Sequence, residues 1–337
     1  MKQEPCRFDS LCTRANCPHH HSSTSSGKSP ETEKCRYGFE CTRKKCPFLH
    51  DTLDGRSPAF VLYHEDASPP VESTVATRIG IVTWNILSES HAKKMTAYDP
   101  NVLDTDFRWS LLSSQLLAWM QKGFIVCLQE VTRDLGFCRL KTLADSLAYE
   151  VAYRSFGTES NGFMGNVILV PRQRFSVENV HHVRVGALCT LLTARAYRHL
   201  FTSVLLRDVE SGDHFFVSSY HMPCQYKKPE IMDAHCEALN KILSVARFPW
   251  FLAGDFNLSV EDMVKNFQGC KMLAGTSPTT HSCIRDTVFK GRLDHIVFSN
   301  LVQIEEEIPV HSVESLMPNA EQPSDHECVT AFFSLKN

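Results

Sequence analysis

Gly254-Asp255-Phe256-Asn257 closes an apolar run, and Ser324-Asp325-His326 stands just before another about seventy residues later. Phe248-Pro-Trp-Phe-Leu-Ala253 reads as a buried strand, which puts Asp255 and Asn257 where that strand leaves its sheet, two positions apart and able to point the same way. Asp325-His326 stands likewise at a strand mouth, where an acid next to an imidazole can hold a metal and grip a phosphate oxygen. Four further strand ends carry polar residues that a buried strand does not need. They are Asn85 in Val82-Thr-Trp-Asn-Ile86, Glu130 in Leu128-Gln-Glu-Val131, His221 in Ser218-Ser-Tyr-His-Met222 and Asp294 in Arg292-Leu-Asp-His-Ile296. Taken singly, each has a plain explanation: a helix cap for Asn85, a surface acid for Glu130, a satisfied core imidazole for His221.

A second chemistry is written into the first fifty residues. Cys6, Cys12, Cys17 and His21 are followed by Cys35, Cys41, Cys46 and His50, with intervening gaps of five, four and three residues in both copies. Three thiolates and an imidazole suit tetrahedral zinc, and gaps this short let a segment too small for its own core fold around the ion. His19 and His20 are alternative ligands in the first copy; the matching gap selects His21. Arg36, Tyr37, Phe39, Arg43, Lys44, Lys45 and Phe48 surround the second set, and flat rings between cations favour single-stranded nucleic acid. The alternative is a zinc knuckle that only stabilises or binds protein.

The elements that must position the acids begin near Arg78. Strands are expected at 79–84, 124–128, 166–170, 198–207, 214–221, 248–253, 293–298 and 328–334. Helices are expected at 106–121, with an apolar face through Trp109, Leu112, Leu116 and Met120, at 140–147, and near 230–245. The fold expectation is α/β, a two-layer β-sandwich of largely antiparallel or mixed sheets flanked by helices; periodicity alone does not separate this from a doubly wound sheet. The organisation is finger one at 1–24, finger two at 30–54, a linker at 55–77 and a catalytic domain at 78–337. The linker's Ala59-Phe-Val-Leu-Tyr63 is apolar enough to pack on a neighbour.

Bulk composition narrows the class. The chain has 337 residues, 43% hydrophobic and 22% charged, enough for one large core plus small modules. Neither a signal-like N-terminus nor an apolar run near the roughly 20 residues that cross a bilayer is present, so no membrane partner is expected. Six of the fourteen cysteines fall in the metal-type clusters and the others lie mostly in or beside apolar stretches, as reduced thiols do, which points to the cytosol or nucleus. The net charge of −3 conceals an asymmetry: residues 1–60 hold ten Lys/Arg against seven Asp/Glu, leaving 25 against 31 beyond. A basic appendage on an acidic body fits a nucleic-acid grip joined to a cation-binding enzyme, although ordinary surface variation would produce the same numbers.

Together and in this order, Asn85, Glu130, His221, Asp255, Asn257, Asp294, Asp325 and His326 resemble the motifs of the endonuclease/exonuclease/phosphatase superfamily over roughly residues 78–335. Arg108-Trp-Ser-Leu-Leu before Ile125-Val-Cys-Leu-Gln-Glu130, and Phe289-Lys-Gly-Arg-Leu-Asp294 before Ile296, are similar to its deadenylase branch, which includes nocturnin and the angel proteins. The sequence departs from that branch at His295, where Tyr is usual, at Tyr220-His-Met-Pro-Cys224, and in having no leucine-rich repeat ahead of the enzyme. The resemblance implies Mg²⁺ (or Mn²⁺) on Glu130 with Asn85, and Asp325 completing that site or holding a second ion. It implies Asp255 as the base for the attacking water and Asn257 as a donor to the phosphoryl oxygen. His221 and His326 follow as phosphate donors, with Asp294 orienting His326. Asn161, Phe163 and Asn166 are candidates for handling the base. The second finger, with Arg36-Tyr-Gly and Cys46-Pro-Phe, is similar to the CCCH fingers of nuclear poly(A)-binding proteins and implies adenosine-rich RNA.

The expected function is therefore a Mg²⁺-dependent phosphodiesterase acting on RNA, a 3′-exoribonuclease that shortens poly(A) and is held on single-stranded RNA by two Zn²⁺ fingers. Relatives that act on DNA ends, 2′–5′ linkages or protein-linked nucleotides use the same constellation. An inactive RNA-binding protein is the reading from another class.

Overall fold

The computed structural model describes residues 78–284, 287–310 and 314–335. Both Cys/His clusters and the linker lie outside them. The strands are β1 (Arg78–Asn85), β2 (Ile125–Val131), β3 (Tyr149–Ser155), β4 (Gly165–Pro171), β5 (Phe175–Arg184), β6 (Leu200–Asp208), β7 (His214–His221), β8 (Trp250–Asp255), β9 (Lys271–Met272), β10 (Thr280–Ile284), β11 (Thr287–Gly291), β12 (Asp294–Phe298), β13 (Val302–Ile308) and β14 (Val329–Leu335). They form two six-stranded sheets, β13-β14-β1-β2-β4-β3 and β5-β6-β7-β8-β12-β9, with β10-β11 as a separate hairpin. The two-layer expectation holds among the described residues, and the doubly wound alternative does not.

The two sheets share one internal plan. In each, a central pair is parallel, β1 with β2 and β7 with β8, while every other named pairing is antiparallel. A parallel pair needs a crossover, and helices Thr105–Gln121 and Pro229–Leu243 supply one to each sheet. Strand alternation sends Ile79, Ile81, Ile125, Cys127, Phe215, Val217, Phe251 and Ala253 into the core between the sheets, and Val82, Trp84, Val126 and Leu128 toward the first helix. The second helix covers the other sheet through Ile231, Cys236, Leu239 and Ile242.

This direction rule makes the site. The parallel strands β1, β2, β7 and β8 end at the same rim at which antiparallel β12 and β14 begin. Strands built from hydrophobic residues thus deliver their terminal polar residues to one mouth. Along the inter-sheet face, Ile81, Val217 and Ala253 give way to Thr83, Gln129 and Ser219, where Gln129 Nε2 donates to Thr83 Oγ1 and Ser219 Oγ, both at 3.1 Å. That polar layer is the floor beneath the mouth.

Candidate active site

Asn85, His221 and Asp255 reach the mouth by ordinary alternation, and the register sets His221 and Asp294 on either side of Asp255. Glu130 does not. By parity its side chain would follow Leu128 toward the outer helix, but the pairing of β2 with β4 shifts register between Leu128 and Val131, and Glu130 takes φ 60°. The irregular step turns the carboxylate into the site. Asn257 is also left-handed, at φ 50°, and strained backbone gathered at a site marks positions the surrounding fold must enforce. Gly254 has its own reason: a Cβ there would lie 1.8 Å from the Tyr220 carbonyl oxygen.

The carboxylates are tightly addressed. Glu130 Oε2 accepts from Ser88 N and Ser88 Oγ, both at 2.9 Å, and from His91 Nδ1 at 2.7 Å, while Oε1 faces Asn85 Nδ2 at 3.2 Å. Burial alone would push the Glu130 carboxyl up; His91, His221 and the Ser88 N–H outweigh it and hold it well below the usual range. Asp255 Oδ1 accepts from Asn257 N at 2.9 Å, and its Oδ2 faces Asn85 Nδ2 at 3.0 Å, His221 Nε2 at 3.5 Å and His326 Nε2 at 3.8 Å. Asp294 Oδ2 accepts from His326 Nδ1 and Thr279 Oγ1, both at 2.7 Å. Burial opposes charge on His326, but Asp294, Asp255 and Asp325 raise it well above the ordinary imidazole value, so that Nε2 carries a proton into the mouth.

Two loops carry the rest. Ser324 Oγ donates to the Asn85 carbonyl at 2.5 Å, and Trp84 Nε1 donates to the His326 carbonyl at 2.7 Å, so the segment before β14 is tied to the end of β1. Arg108, 3% exposed, donates through Nε to Pro323 O and through Nη2 to Ile86 O, both at 2.6 Å, and also to Leu87 O. One guanidinium therefore fixes both loops. The buried helix face runs through Arg108, Leu112, Leu116 and Met120, whereas Trp109, expected on it, is only partly buried.

The residues fit a hard divalent cation. Glu130, Asp255, Asp294 and Asp325 are four buried carboxylates in one mouth. Burial raises Asp325, with His326 opposing and Glu130 and Asp255 adding to the shift, and Asp294 Oδ1 is buried without a hydrogen-bond partner. Crowded anions of this kind are relieved by a cation with oxygen ligands. Donor atoms of Asp255, Asp294 and His326 also lie within 4.8 Å of one another, but the Asp294–His326 bond occupies two of those groups with each other. Glu130 Oε1, which faces Asn85 Nδ2 at 3.2 Å, and the buried Asp325 carboxyl are the further oxygen donors of the mouth. Asn85 turns its amide nitrogen to Glu130 and Asp255, while its Oδ1 accepts from Leu87 N at 3.0 Å.

Sequence reasoning missed Ser88, His91, Arg108 as an anchor, Thr279 and Tyr226, whose hydroxyl donates to Asn257 Oδ1 at 3.1 Å. A charged residue four positions ahead of Leu112 on an apolar helix face was the legible sign for Arg108. Of the base-handling candidates, Asn166 is excluded by complete burial, with Nδ2 donating to Leu200 O at 2.8 Å, and Asn161 is engaged in a capping box with Thr158. Phe163 stays exposed, with Arg133 over its ring. His295 is a core residue whose Nε2 donates to Leu258 O at 3.0 Å.

Buried acids, imidazoles and carboxamides at one rim of a helix-flanked sandwich define a hydrolase of phosphate esters. Residues 82–326 match the Endonuclease/Exonuclease/phosphatase family, and the chain belongs to that family. Among solved structures it is similar to ANGEL2, described as a 2′,3′-cyclic phosphatase in complex with adenosine-2′,3′-vanadate, with 16% identity, 81% of this chain and 100% of that chain covered, and a TM-score of 0.67. The human Nocturnin catalytic domain with bound sulfate gives 22% identity, 78% and 97% coverage and a TM-score of 0.61. D. rerio TDP2 complexed with a single-strand DNA product gives 14% identity, 76% and 99% coverage and a TM-score of 0.55. No curated protein sequence matches the chain. No helix among the described residues is long and apolar enough to cross a membrane.

Proposed function

We propose that the protein is a Mg²⁺-dependent phosphodiesterase that shortens RNA from its 3′ end, with adenosine-rich tails as substrate. The observation that carries the hydrolytic part is the convergence of Glu130, Asp255, Asp294 and Asp325 with His221 and His326 at one mouth. The RNA part is supported by the two Cys/His repeats, which would hold two Zn²⁺ through Cys6, Cys12, Cys17 and His21 and through Cys35, Cys41, Cys46 and His50, and by Arg36, Tyr37, Phe39, Lys44 and Phe48 beside the second set.

Glu130 and Asp325 would hold the Mg²⁺, which when bound offsets charge on the phosphoryl oxygens. Asp255 takes the proton from the attacking water through Oδ2, while its Oδ1 is fixed by the Asn257 amide. His326, kept protonated by Asp294, and His221 donate from Nε2 toward the space that Asp255 also faces, where the phosphoryl group gains charge. Asn257 Nδ2 spends one proton on Met222 O at 3.0 Å and keeps a second for the phosphoryl oxygen. The exposed rings of Tyr226 and Phe289, 6.4 Å apart and inclined at 31°, offer stacking faces for a terminal base.

The test compares oligoadenosine, mixed-sequence RNA, single-stranded DNA and an RNA ending in a 2′,3′-cyclic phosphate, with and without EDTA. Metal-dependent removal of nucleotides from oligoadenosine in preference to the others is expected. Equal cutting of all polymers removes the poly(A) reading, and turnover of the cyclic phosphate alone replaces it with end-group hydrolysis, the activity described for ANGEL2.

A further inference from the structure

In a chain with 38 Asp and Glu, residues 179–207 contain none, yet they hold Arg184, Arg195, Arg198, Arg207, His181, His182 and His199. All but Arg207 fall in the part of this segment that the sheet topology carries to the catalytic rim. β7 ends at the rim with His221, β6 runs opposite to it and so begins there, and β5 runs opposite to β6 and ends there, with Arg184 across from Leu200 and His182 across from Thr202. β3 ends at the same rim, where Arg154 pairs with Asn166, and Asn166 in turn bonds Leu200 O of the other sheet. The sheet edges formed by β3 and β5 therefore bring their terminal cations to the same side of the mouth.

The cationic rim joins the site directly. His199 Nδ1 donates to the His221 carbonyl at 2.7 Å, and the two rings meet edge to face at 5.5 Å. Arg198 is the preceding residue, exposed like Arg195. The strip has a fixed internal geometry, since Arg184 Nη2 donates to Arg195 O at 2.7 Å and Arg195 Nε to Cys189 O at 2.9 Å. The exposed rings of Tyr226 and Phe289 belong to other segments, the loop after β7 and the hairpin strand β11.

Resting on the RNA reading above, we propose that Arg154, Arg184, Arg195 and Arg198 form the track along which the phosphodiester backbone of single-stranded RNA leads into the catalytic mouth. Once the scissile phosphate sits between His221 and His326, its neighbours along the strand must leave past one side, and the arginine-bearing rim is the side whose charge complements them. Guanidinium groups contact phosphate without reading sequence, so this surface contributes affinity and length dependence and leaves base choice to the aromatic rings.

The test uses the full chain carrying Arg195→Gln with Arg198→Gln, the single Arg198→Gln, and Arg172→Gln as a control, whose guanidinium is paired with Glu150 and Asp145. Binding of a fluorescent oligoadenosine is followed by anisotropy across a salt series, beside cleavage of an adenylyl dinucleotide and of the long oligomer. Each lost contact should lower the slope of log Kd against log salt by about 0.7, so the double variant loses about 1.4 and the single about 0.7. The KM for the long oligomer should rise on the order of tenfold, while dinucleotide turnover and the control stay at wild-type values. An unchanged slope in a folded variant overturns the track, as does an equal fall in the control. A wild type that cleaves no RNA while the slope still falls removes the hydrolytic reading and leaves the track standing.

Discussion

Arg108 makes the sharpest case for how this fold builds its site. Its guanidinium bonds three main-chain carbonyls, of Ile86, Leu87 and Pro323, all in buried residues, and so joins the loop that follows Asn85 to the loop that precedes Asp325. Arg108→Ala leaves three buried acceptors without a charged donor. At about 1.5–3 kcal/mol for each charge-assisted bond, less what local relaxation and water recover, the loss is about 4 kcal/mol. That is a large share of the roughly 5–15 kcal/mol that stabilises a domain, and corresponds to a fall in Tm of roughly 10 °C. Because both loops loosen, misplacement of Asp325 and His326 by about 1 Å should cost on the order of 100-fold in kcat/KM even where the protein is folded. Arg108→Lys returns one or two of the bonds and should recover part of both losses. The assays are thermal denaturation with apo and Mg²⁺-loaded protein, and oligoadenosine cleavage well below the variant's Tm. A variant within about 1 kcal/mol of wild type, or one destabilised as expected yet fully active, would refute the reasoning that this side chain holds the mouth together.

Other perturbations bear on separate parts of the account. Tyr226→Phe keeps the ring and removes the hydroxyl that orients Asn257, so steady-state kinetics should show kcat falling about tenfold with KM little changed, whereas Tyr226→Ala should also raise KM; identical effects of the two would discount the hydroxyl. His235 and His295 are buried and pushed down to about 4 by burial, against an unfolded value near 6.5. Both favour the neutral form in the folded state, so their contribution is full above about pH 6.5 and is lost as pH falls toward 4, on the order of 3 kcal/mol for each ring. Urea unfolding at a series of pH values should show that loss, and His235→Gln should remove about half of it, leaving the His295 share; a flat profile in wild type contradicts it. Cys46→Ser should weaken RNA capture while the dinucleotide is still cleaved at the wild-type rate, and equal loss of both would assign the finger a purely structural role.

The sequence disclosed those parts of the fold in which both faces of a strand are buried. β1, β2, β7, β8 and β12 are apolar runs whose polar ends stand out, and their ends are the site. β13 reads Val-Gln-Ile-Glu-Glu-Glu-Ile and β5 reads Phe-Ser-Val-Glu-Asn-Val-His-His-Val-Arg, and both are edge strands with polar residues facing water, so neither offered an apolar run to find. β3 and the β10-β11 hairpin were missed in the same way. Within the site, the residues delivered by strand ends were legible because strand periodicity indexes them. Ser88, Thr279 and Tyr226 come from loops and His91 from the four-residue helix Glu89–Ala92, too short to show a period, so spacing along the chain says nothing about their direction in space. Even Glu130 was found for an incomplete reason, since simple alternation would have pointed it away from the mouth.

The central claim is that carboxylates far apart in sequence act together through a divalent ion. Its most direct measurement is product-resolved cleavage of 5′-labelled oligoadenosine by the wild-type chain and by Glu130→Gln, each with Mg²⁺ and with EDTA. The account predicts a ladder of products one nucleotide apart from wild type with Mg²⁺ only, and none from Glu130→Gln while its RNA binding persists. Cleavage that survives EDTA, or a Glu130→Gln variant that works at the wild-type rate, would contradict it.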